Sequence, residues 1–188
     1  QGTLRARAAT AHHASRASKQ LPELIVGLGG LGRLLARLVG ALGGNATVWE
    51  RDEARRDGAQ GYAVVDPNDE PRRDYRCICE AGGSAQLDAF VSRLAPKGEL
   101  TLAGFYSEQV SFTFPPAFMR ETRFQVAAEW KPEDMTAVLA CIEDGRLQRD
   151  GLITHQSASA EASAAYRTAF EAPRCLKMLI DWSPTTCP

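Results

Sequence analysis

Three glycines and one acid are the residues of this chain whose types and spacing point most directly to chemistry. Gly27, Gly29 and Gly32 fall at G-x-G-x-x-G spacing within LIVGLGGLGRLLARLVGALGGNATVWE, and Glu50 closes the stretch. In such a turn the first glycine lets the chain leave a strand sharply. The second lets the backbone approach a diphosphate, and the third lets a helix lie close to the sheet. A helix that starts there opens with amides lacking partners within the helix and carries the positive end of its dipole, so an anionic diphosphate suits it. An acid about 20 residues further on, ending the next strand, is placed to accept from ribose hydroxyls. The chemistry on offer is dinucleotide binding, with Gly27, Leu28, Gly29, Gly30, Leu31 and Gly32 at the diphosphate and Glu50 at the adenosine ribose. A carboxylate in that place accepts a ribose diol and repels a 2′-phosphate, which favours NAD over NADP. Arg51 beside it is the one residue that argues the other way.

Glycine turns also arise for purely steric reasons, so the surrounding elements decide how much this one means. LIV before it reads as an apolar strand, and Leu31, Leu34, Leu35, Leu38, Val39 and Leu42 share one broad helical face after it. TVWE is a second strand. RDEARRDGAQ then reads as a short charged helix closed by glycine, GYAVVD as a third strand, DPNDEPRRD as a loop, and YRCICEA as a fourth strand. SAQLDAFVSRLA has a helix start signal at Ser84 and a stop at Pro96 and Gly98, and GELTLAGF is a fifth strand. This alternation predicts an α/β fold, a Rossmann-type doubly wound parallel sheet of about six strands in three α/β/α layers. Pro115 and Pro116 bar a central strand and predict a loop or edge. RFQVAAEW is the sixth strand, Pro132 opens a helix that stops at Gly145, LITHQ is a short strand, residues 159–170 form a helix, and CLKMLIDW is a last strand. In open α/β sheets ligands lie at the carboxyl edge. That rule puts Ala81 and Gly82 beside the dinucleotide and Ala103, Gly104 and Phe105 near the nicotinamide.

Composition narrows the partners. With 188 residues and a formal net charge of -1, the chain gives no electrostatic case for nucleic acid or an anionic membrane. No apolar run approaches the roughly 20 residues of a membrane span. Five cysteines, Cys77, Cys79, Cys141, Cys175 and Cys187, are odd in number and sit in a chain long enough to build its own core. Free thiols in a reducing, cytoplasmic setting fit better than a disulfide framework. Cys77 and Cys79 read as core residues, since no histidine or cysteine pair completes a zinc site. His155 in THQS is a turn histidine that needs no function. The chain begins with Gln, which suggests a cut from something longer. Residues 1–20 carry Arg5, Arg7, Arg16 and Lys19 and no acid, so they read either as a transit peptide or as a helix leading into the first strand.

Taken in order, the glycine turn, TVWE, EAGGS, PKGELTLAGF and the late THQS with AYRTAF resemble the cofactor half of the medium-chain dehydrogenase/reductase superfamily. LIVGLGGLGRLLARL, FQVAAEWKPEDM and AFEAPRCLKMLIDW resemble, more narrowly, its bacteriochlorophyllide dehydrogenase branch. The resemblance spans nearly the whole chain and implies the following layout. Residues 1–20 are a linker helix from an N-terminal catalytic domain that this chain lacks, residues 21–182 are the NAD-binding Rossmann domain, and residues 183–188 are a tail. Thr10 and Ala14 match that superfamily's linking segment, with His12 at its aromatic position. Its zinc-ligand cysteine falls near Ala6, so no metal ligand is assigned here. His12 and His13 are then surface histidines of a helix, or else a metal ligand or proton relay. The implied reaction is NAD-dependent oxidation of the 1-hydroxyethyl side chain of a bacteriochlorophyllide precursor to an acetyl group. Phe105, Tyr106, Phe112, Phe114 and Phe118 would line a tetrapyrrole cleft or pack a homodimer interface near the sixth strand. No catalytic residue is assigned.

Three other readings stay open. One is another medium-chain alcohol dehydrogenase acting on a different secondary alcohol. Another is an S-adenosylmethionine-dependent methyltransferase, which shares a glycine turn and an acid ending strand two but usually ends its sheet in an antiparallel hairpin. The third is a non-catalytic NAD-sensing domain.

Overall fold

A computed structural model of the chain describes residues 2–107 and 109–183; residues 184–188 of the expected tail, with Cys187, lie outside the described residues. The chain divides into two compact units, one running through Gln148 and one from Arg149.

In the first unit, helix α1 (Arg5–Arg16) precedes β1 (Leu24–Val26), α2 (Gly30–Ala41), β2 (Thr47–Trp49), α3 (Glu53–Arg56) and β3 (Ala63–Val65). There follow β4 (Tyr75–Glu80), α4 (Leu87–Val91), β5 (Leu94–Leu102), α5 (Phe114–Met119), β6 (Arg123–Val126) and α6 (Pro132–Glu143). The six strands form one sheet in the order β3-β2-β1-β4-β5-β6, and every pairing is parallel. That is the doubly wound Rossmann arrangement, with β1 central and the order reversing beside it, so the glycine turn after β1 opens at the switch point where such sheets bind ligands.

Burial explains why these segments are strands. Leu24 and Ile25 of β1, Ile78 and Cys79 of β4 and Leu100 of β5 are all fully buried, as parallel strands covered on both faces must be. On one side of the sheet Leu24, Trp49, Tyr75, Leu87, Phe90 and Leu94 pack together. The apolar face of α2 closes through Leu34, Leu35, Leu38 and Val39, and α1 packs against α2 and α6. Two arginines on α2 are buried as well. Arg33 donates from Nη2 to the Arg55 carbonyl at 2.5 Å and the Asp57 carbonyl at 2.7 Å, and Arg37 donates to the Gln148 carbonyl at 3.1 Å.

The chain passes from the β1–β3 half of the sheet to the β4–β6 half once, through the polar loop between Val65 and Tyr75. Glu23, just ahead of β1, holds the far half by its carboxylate, which accepts from the Arg76 amide at 2.9 Å, the Arg76 side chain at 2.5 Å and Arg72 at 2.9 Å. Arg93 secures the loop itself by donating to the carbonyls of Glu70, Arg72 and Pro67 while its guanidinium lies 5.0 Å from the Trp49 ring centre.

Two elements differ from the sequence reading. The helix expected from Ser84 to Pro96 is only Leu87–Val91, and β5 already begins at Leu94 and continues through Pro96 and Gly98. The β4–β5 register shifts near that start, and Lys97 takes φ 63, so the proline sits where regular pairing has not yet begun. Pro115 and Pro116 do not make a loop. They open α5 at its first turn, where a missing N–H removes nothing the helix uses.

The second unit is a parallel pair, β7 (His155–Ala158) with β8 (Met178–Asp181), joined by α7 (Ala162–Glu171). Ala165 is buried against the pair, while Tyr166, Phe170 and Trp182 are exposed.

Candidate functional site

The glycine turn runs from the end of β1 into α2, and its glycines differ in what confines them. Gly27 takes φ +95, and a Cβ there would lie 2.8 Å from the Gly82 Cα. At Gly32 a Cβ would lie 1.8 Å from the Gly27 carbonyl oxygen, so the first turn of α2 rests directly on the backbone of the turn. Gly29 is the opposite case: a Cβ there meets nothing within 4 Å. Gly29 is also the N-cap of α2 and supplies no side-chain cap, so the amides at Gly30, Leu31 and Gly32 face the turn without a side-chain acceptor. An open backbone face at an uncapped twelve-residue helix start is what a diphosphate requires.

Glu50 follows β2 and turns toward the same place. Its carboxylate accepts from the Leu28 amide at 3.0 Å and the Asp52 amide at 3.0 Å, so it also fixes the turn. The two features border one cavity of about 480 Å³ at the carboxyl edge of the sheet, lined on this side by Val26, Gly27, Leu28, Gly29 and Glu50. Ala81 and Gly82, just after β4, line it as well. Sequence reasoning did not find its other walls. Trp49 and Phe90 floor it, Pro67 and Asn68 come from the crossover loop, and Arg55, Arg73 and Arg93 add cations beside Arg51. These come from the end of β2, from two short helices and from loops, with no spacing rule to mark them. Arg51 donates to Gln86 Oε1 at 2.5 Å.

Ala103, Gly104 and Phe105 lie beside this site rather than in its wall. The Ala103 and Gly104 amides donate to the Glu80 carbonyl at 2.8 and 2.9 Å, and Phe105 is 94% exposed. Gly104 has no room for a side chain, because a Cβ would lie 2.5 Å from the Gly83 nitrogen.

Glu80, the last residue of β4, is the main feature that sequence reading missed. It is fully buried and borders the cavity. Its Oε1 accepts from the Gly82 amide at 2.9 Å and the Ser84 amide at 3.0 Å; its Oε2 accepts from the Gly83 amide at 3.0 Å and from the Tyr106 hydroxyl. Burial, with Glu80 beside it, pushes the Tyr106 phenol well above its ordinary range, so the hydroxyl stays a donor. The signal was present in CICEAGGS: an acid ending a strand just before two glycines, where successive amides can curl round an oxygen.

His12 and His13 are not exposed on the face of their helix. His12 and His13 are partly buried, and their Nδ1 atoms donate to the two oxygens of Asp134 at 2.7 and 2.9 Å, which fastens α1 to α6. The Asp134 carboxylate also accepts from the Lys131 amide at 2.8 Å. Burial opposes its charge, and the donors from His12, Lys131 and His13 outweigh that, holding its pKa below the ordinary value. His155 lies on β7 with Nδ1 2.9 Å from Thr154 Oγ1. Among the described residues no group of three or more His, Cys, Asp or Glu is arranged to hold a metal. Cys77 and Cys79 are buried in β4, and burial pushes the Cys77 thiol up to about 11 and that of Cys79 higher still.

The aromatic set divides. Tyr106 belongs to the Glu80 cluster, whereas Phe112 stacks on Phe124 at 4.5 Å and Phe114 meets Phe118 at 5.5 Å. With Ala117 and Met119 these four rings line an open groove beside β6.

No family model matches the chain. It is similar to 2-desacetyl-2-hydroxyethyl bacteriochlorophyllide A dehydrogenase of Rhodobacter capsulatus, 56% identical over 185 residues that make up 97% of this chain. The protein of that name from Cereibacter sphaeroides is 55% identical over 98% of the chain. The chain spans 59% of the length of each of these relatives. Among solved structures, 2R,3R-butanediol dehydrogenase from Bacillus subtilis superposes with a TM-score of 0.85 over 97% of this chain and 57% of its own, at 18% identity. A dehydrogenase from Sinorhizobium meliloti bound to NADP gives 0.81 over 95% of this chain and 58% of its own, at 18% identity. Acetophenone reductase from Geotrichum candidum in complex with NAD gives 0.77 over 93% of this chain and 53% of its own, at 17% identity. The resemblance read from LIVGLGGLGRLLARL and AFEAPRCLKMLIDW therefore extends along the whole chain, and the fold is that of the dehydrogenases.

Proposed function

We propose that this chain is the dinucleotide-binding part of an NAD-dependent oxidoreductase that oxidises the 1-hydroxyethyl side chain of a bacteriochlorophyllide to an acetyl group. One observation carries the cofactor reading: Gly29 has open space where Gly27 and Gly32 have none, and that space adjoins both the uncapped start of α2 and the Glu50 carboxylate. The residues fit the group. The amides of Gly30, Leu31 and Gly32 would hold the diphosphate, Glu50 the adenosine ribose, and the ends of β4 and β5 the nicotinamide half, while the Leu28 amide stays bonded to Glu50. When bound, the cofactor supplies hydride acceptance. This chain positions it, keeps water from the floor of the site with Trp49 and Phe90, and presents Phe105 toward a large planar substrate. The identity to the two bacteriochlorophyllide dehydrogenases supports that substrate. No residue here is assigned as general base, and we place that group in a catalytic domain preceding α1, with residues 1–20 as its link. Buried free thiols at Cys77, Cys79 and Cys141 suit a cytoplasmic protein, and among the described residues no helix is long and apolar enough to cross a membrane.

NAD is preferred to NADP because Glu50 would repel a 2′-phosphate; Arg51, Arg55 and Arg73 at the same cavity are what would favour it. Calorimetric titration of the chain and of Glu50→Ala with both dinucleotides tests this. The expected outcome is NAD binding by the parent that the variant loses. Binding of neither dinucleotide by the parent would sink the reading. A methyltransferase would be expected to show an antiparallel hairpin, and the sheet pairs only in parallel among the described residues.

We further propose a homodimer through β6. Among the described residues this strand is paired on one side only, Val126 on it is 78% exposed, and Phe112, Phe114, Phe118 and Met119 lie beside it unburied. An open edge strand with apolar neighbours is a template for a second copy.

A further inference from the structure

Glu80 is a fully buried carboxylate with no salt bridge among the described residues. Its partners are the three amides of Gly82, Gly83 and Ser84 and the hydroxyl of Tyr106. All four donate, which suits an acceptor-only, ionised group. Neutral donors lower the cost of burying a charge without cancelling its sign. The field of this anion therefore extends into whatever lies against it, and what lies against it is the cavity. Sheet order fixes which end of a ligand that is. Glu50 follows β2 on one side of β1, and Glu80 ends β4 on the other. A dinucleotide with its adenosine ribose at Glu50 and its diphosphate on α2 must carry its other half across β4 toward Glu80. Gly82 lies so close to Gly27 that a Cβ on Gly27 would meet it at 2.8 Å, so the phosphate turn and the Glu80 turn adjoin.

We propose that Glu80 is a positioning residue whose uncompensated charge, held beside the nicotinamide half of the cleft, biases the site toward the oxidised, cationic form of the dinucleotide. This rests on the cofactor reading given above. The oxidised ring carries a positive charge that the reduced ring lacks, so a nearby anion stabilises only the oxidised form. Such a bias lets the reduced form leave more readily, while it makes the bound oxidised ring a weaker hydride acceptor. Tyr106 moderates the effect, since its hydroxyl spreads part of the Glu80 charge.

The two residues make predictions of opposite sign. In Glu80→Gln the charge is gone, and the affinity ratio of NAD+ over NADH should fall roughly fivefold, as expected for loss of one partly screened charge interaction. In Tyr106→Phe the charge stays and loses a donor, so the same ratio should rise, roughly twofold. NAD+ is followed by calorimetry and NADH by its fluorescence on the 188-residue chain, with thermal unfolding of each variant alongside. A purely structural role for Glu80 would weaken both forms together and leave the ratio unchanged in both variants, which overturns the proposal. If Glu80→Gln does not fold, the Tyr106→Phe ratio alone decides: a rise supports it, and no change or a fall refutes it. A parent chain that binds neither form refutes the cofactor reading itself, a result distinct from a parent that binds both with an unmoved ratio.

Discussion

Gly29 and Gly32 stand in the same turn, yet an added methyl meets opposite fates at the two. At Gly32 it would collide with the Gly27 carbonyl at 1.8 Å, whereas at Gly29 it finds open space at an ordinary negative φ. Gly32→Ala should therefore cost about 2 kcal/mol or more in chemical denaturation, as overpacking against backbone does, and should lose the ligand with the fold. Gly29→Ala should stay within about 0.5 kcal/mol of the parent and still weaken dinucleotide binding, because the methyl occupies the path of the diphosphate. A Gly29→Ala chain that binds NAD as tightly as the parent would show that the turn is steric alone. Glu50 was legible from spacing because it ends a strand at a fixed remove from the glycines. Glu80 ends a strand as well, but its role depends on three successive amides and a hydroxyl from another loop, and no linear spacing encodes that.

Between elements, the clasp of His12 and His13 on Asp134 holds α1 onto α6. Asp134→Ala would leave two imidazoles and the Lys131 amide without their acceptor and should lower stability by about 2–4 kcal/mol in urea unfolding. The acid dependence follows from the lowered Asp134 pKa. A group whose folded pKa lies below its unfolded value of about 3.9 contributes fully above that value and loses its contribution as pH falls through the folded value. Stability measured from pH 5 downward should thus fall less steeply in Asp134→Asn than in the parent. A parallel fall in both would remove Asp134 from the acid response. Helix α1 was legible, since the resemblance outweighed the basic, acid-free composition of residues 1–20. Its attachment was not, because the two histidines and their acid are far apart in sequence. Helix α5 shows the converse: two prolines argued correctly against a central strand, and the same residues start a helix.

At the scale of the molecule, the doubly wound parallel sheet was legible from the alternation of apolar strands and helical faces, whose short connections leave few ways to wind such a sheet. The open edge at β6 belongs to this scale too. If two copies pair there, sedimentation should show a concentration-dependent dimer, and Val126→Lys should shift it to monomer by placing a charge on the outer edge. An unchanged dimer in that variant would place the contact elsewhere. The apolar exposure at Tyr166, Phe170 and Trp182 of the second unit could not be read from periodicity, because those residues have the same types as core residues.

The single passage from β3 to β4 has a consequence for how the chain can be divided. Residues 1–69 and 70–188 each carry three consecutive strands of the sheet, and the seam between them includes the β1–β4 ladder, the Glu23 pairs with Arg72 and Arg76, and the α1–α6 clasp. Arg93 grips the loop on both sides of that cut, at Pro67 and at Glu70. Two separate polypeptides so divided should therefore reassemble when mixed, and the proposed dinucleotide capture, to which Gly29 of one and Gly82 of the other would contribute, would report their reunion.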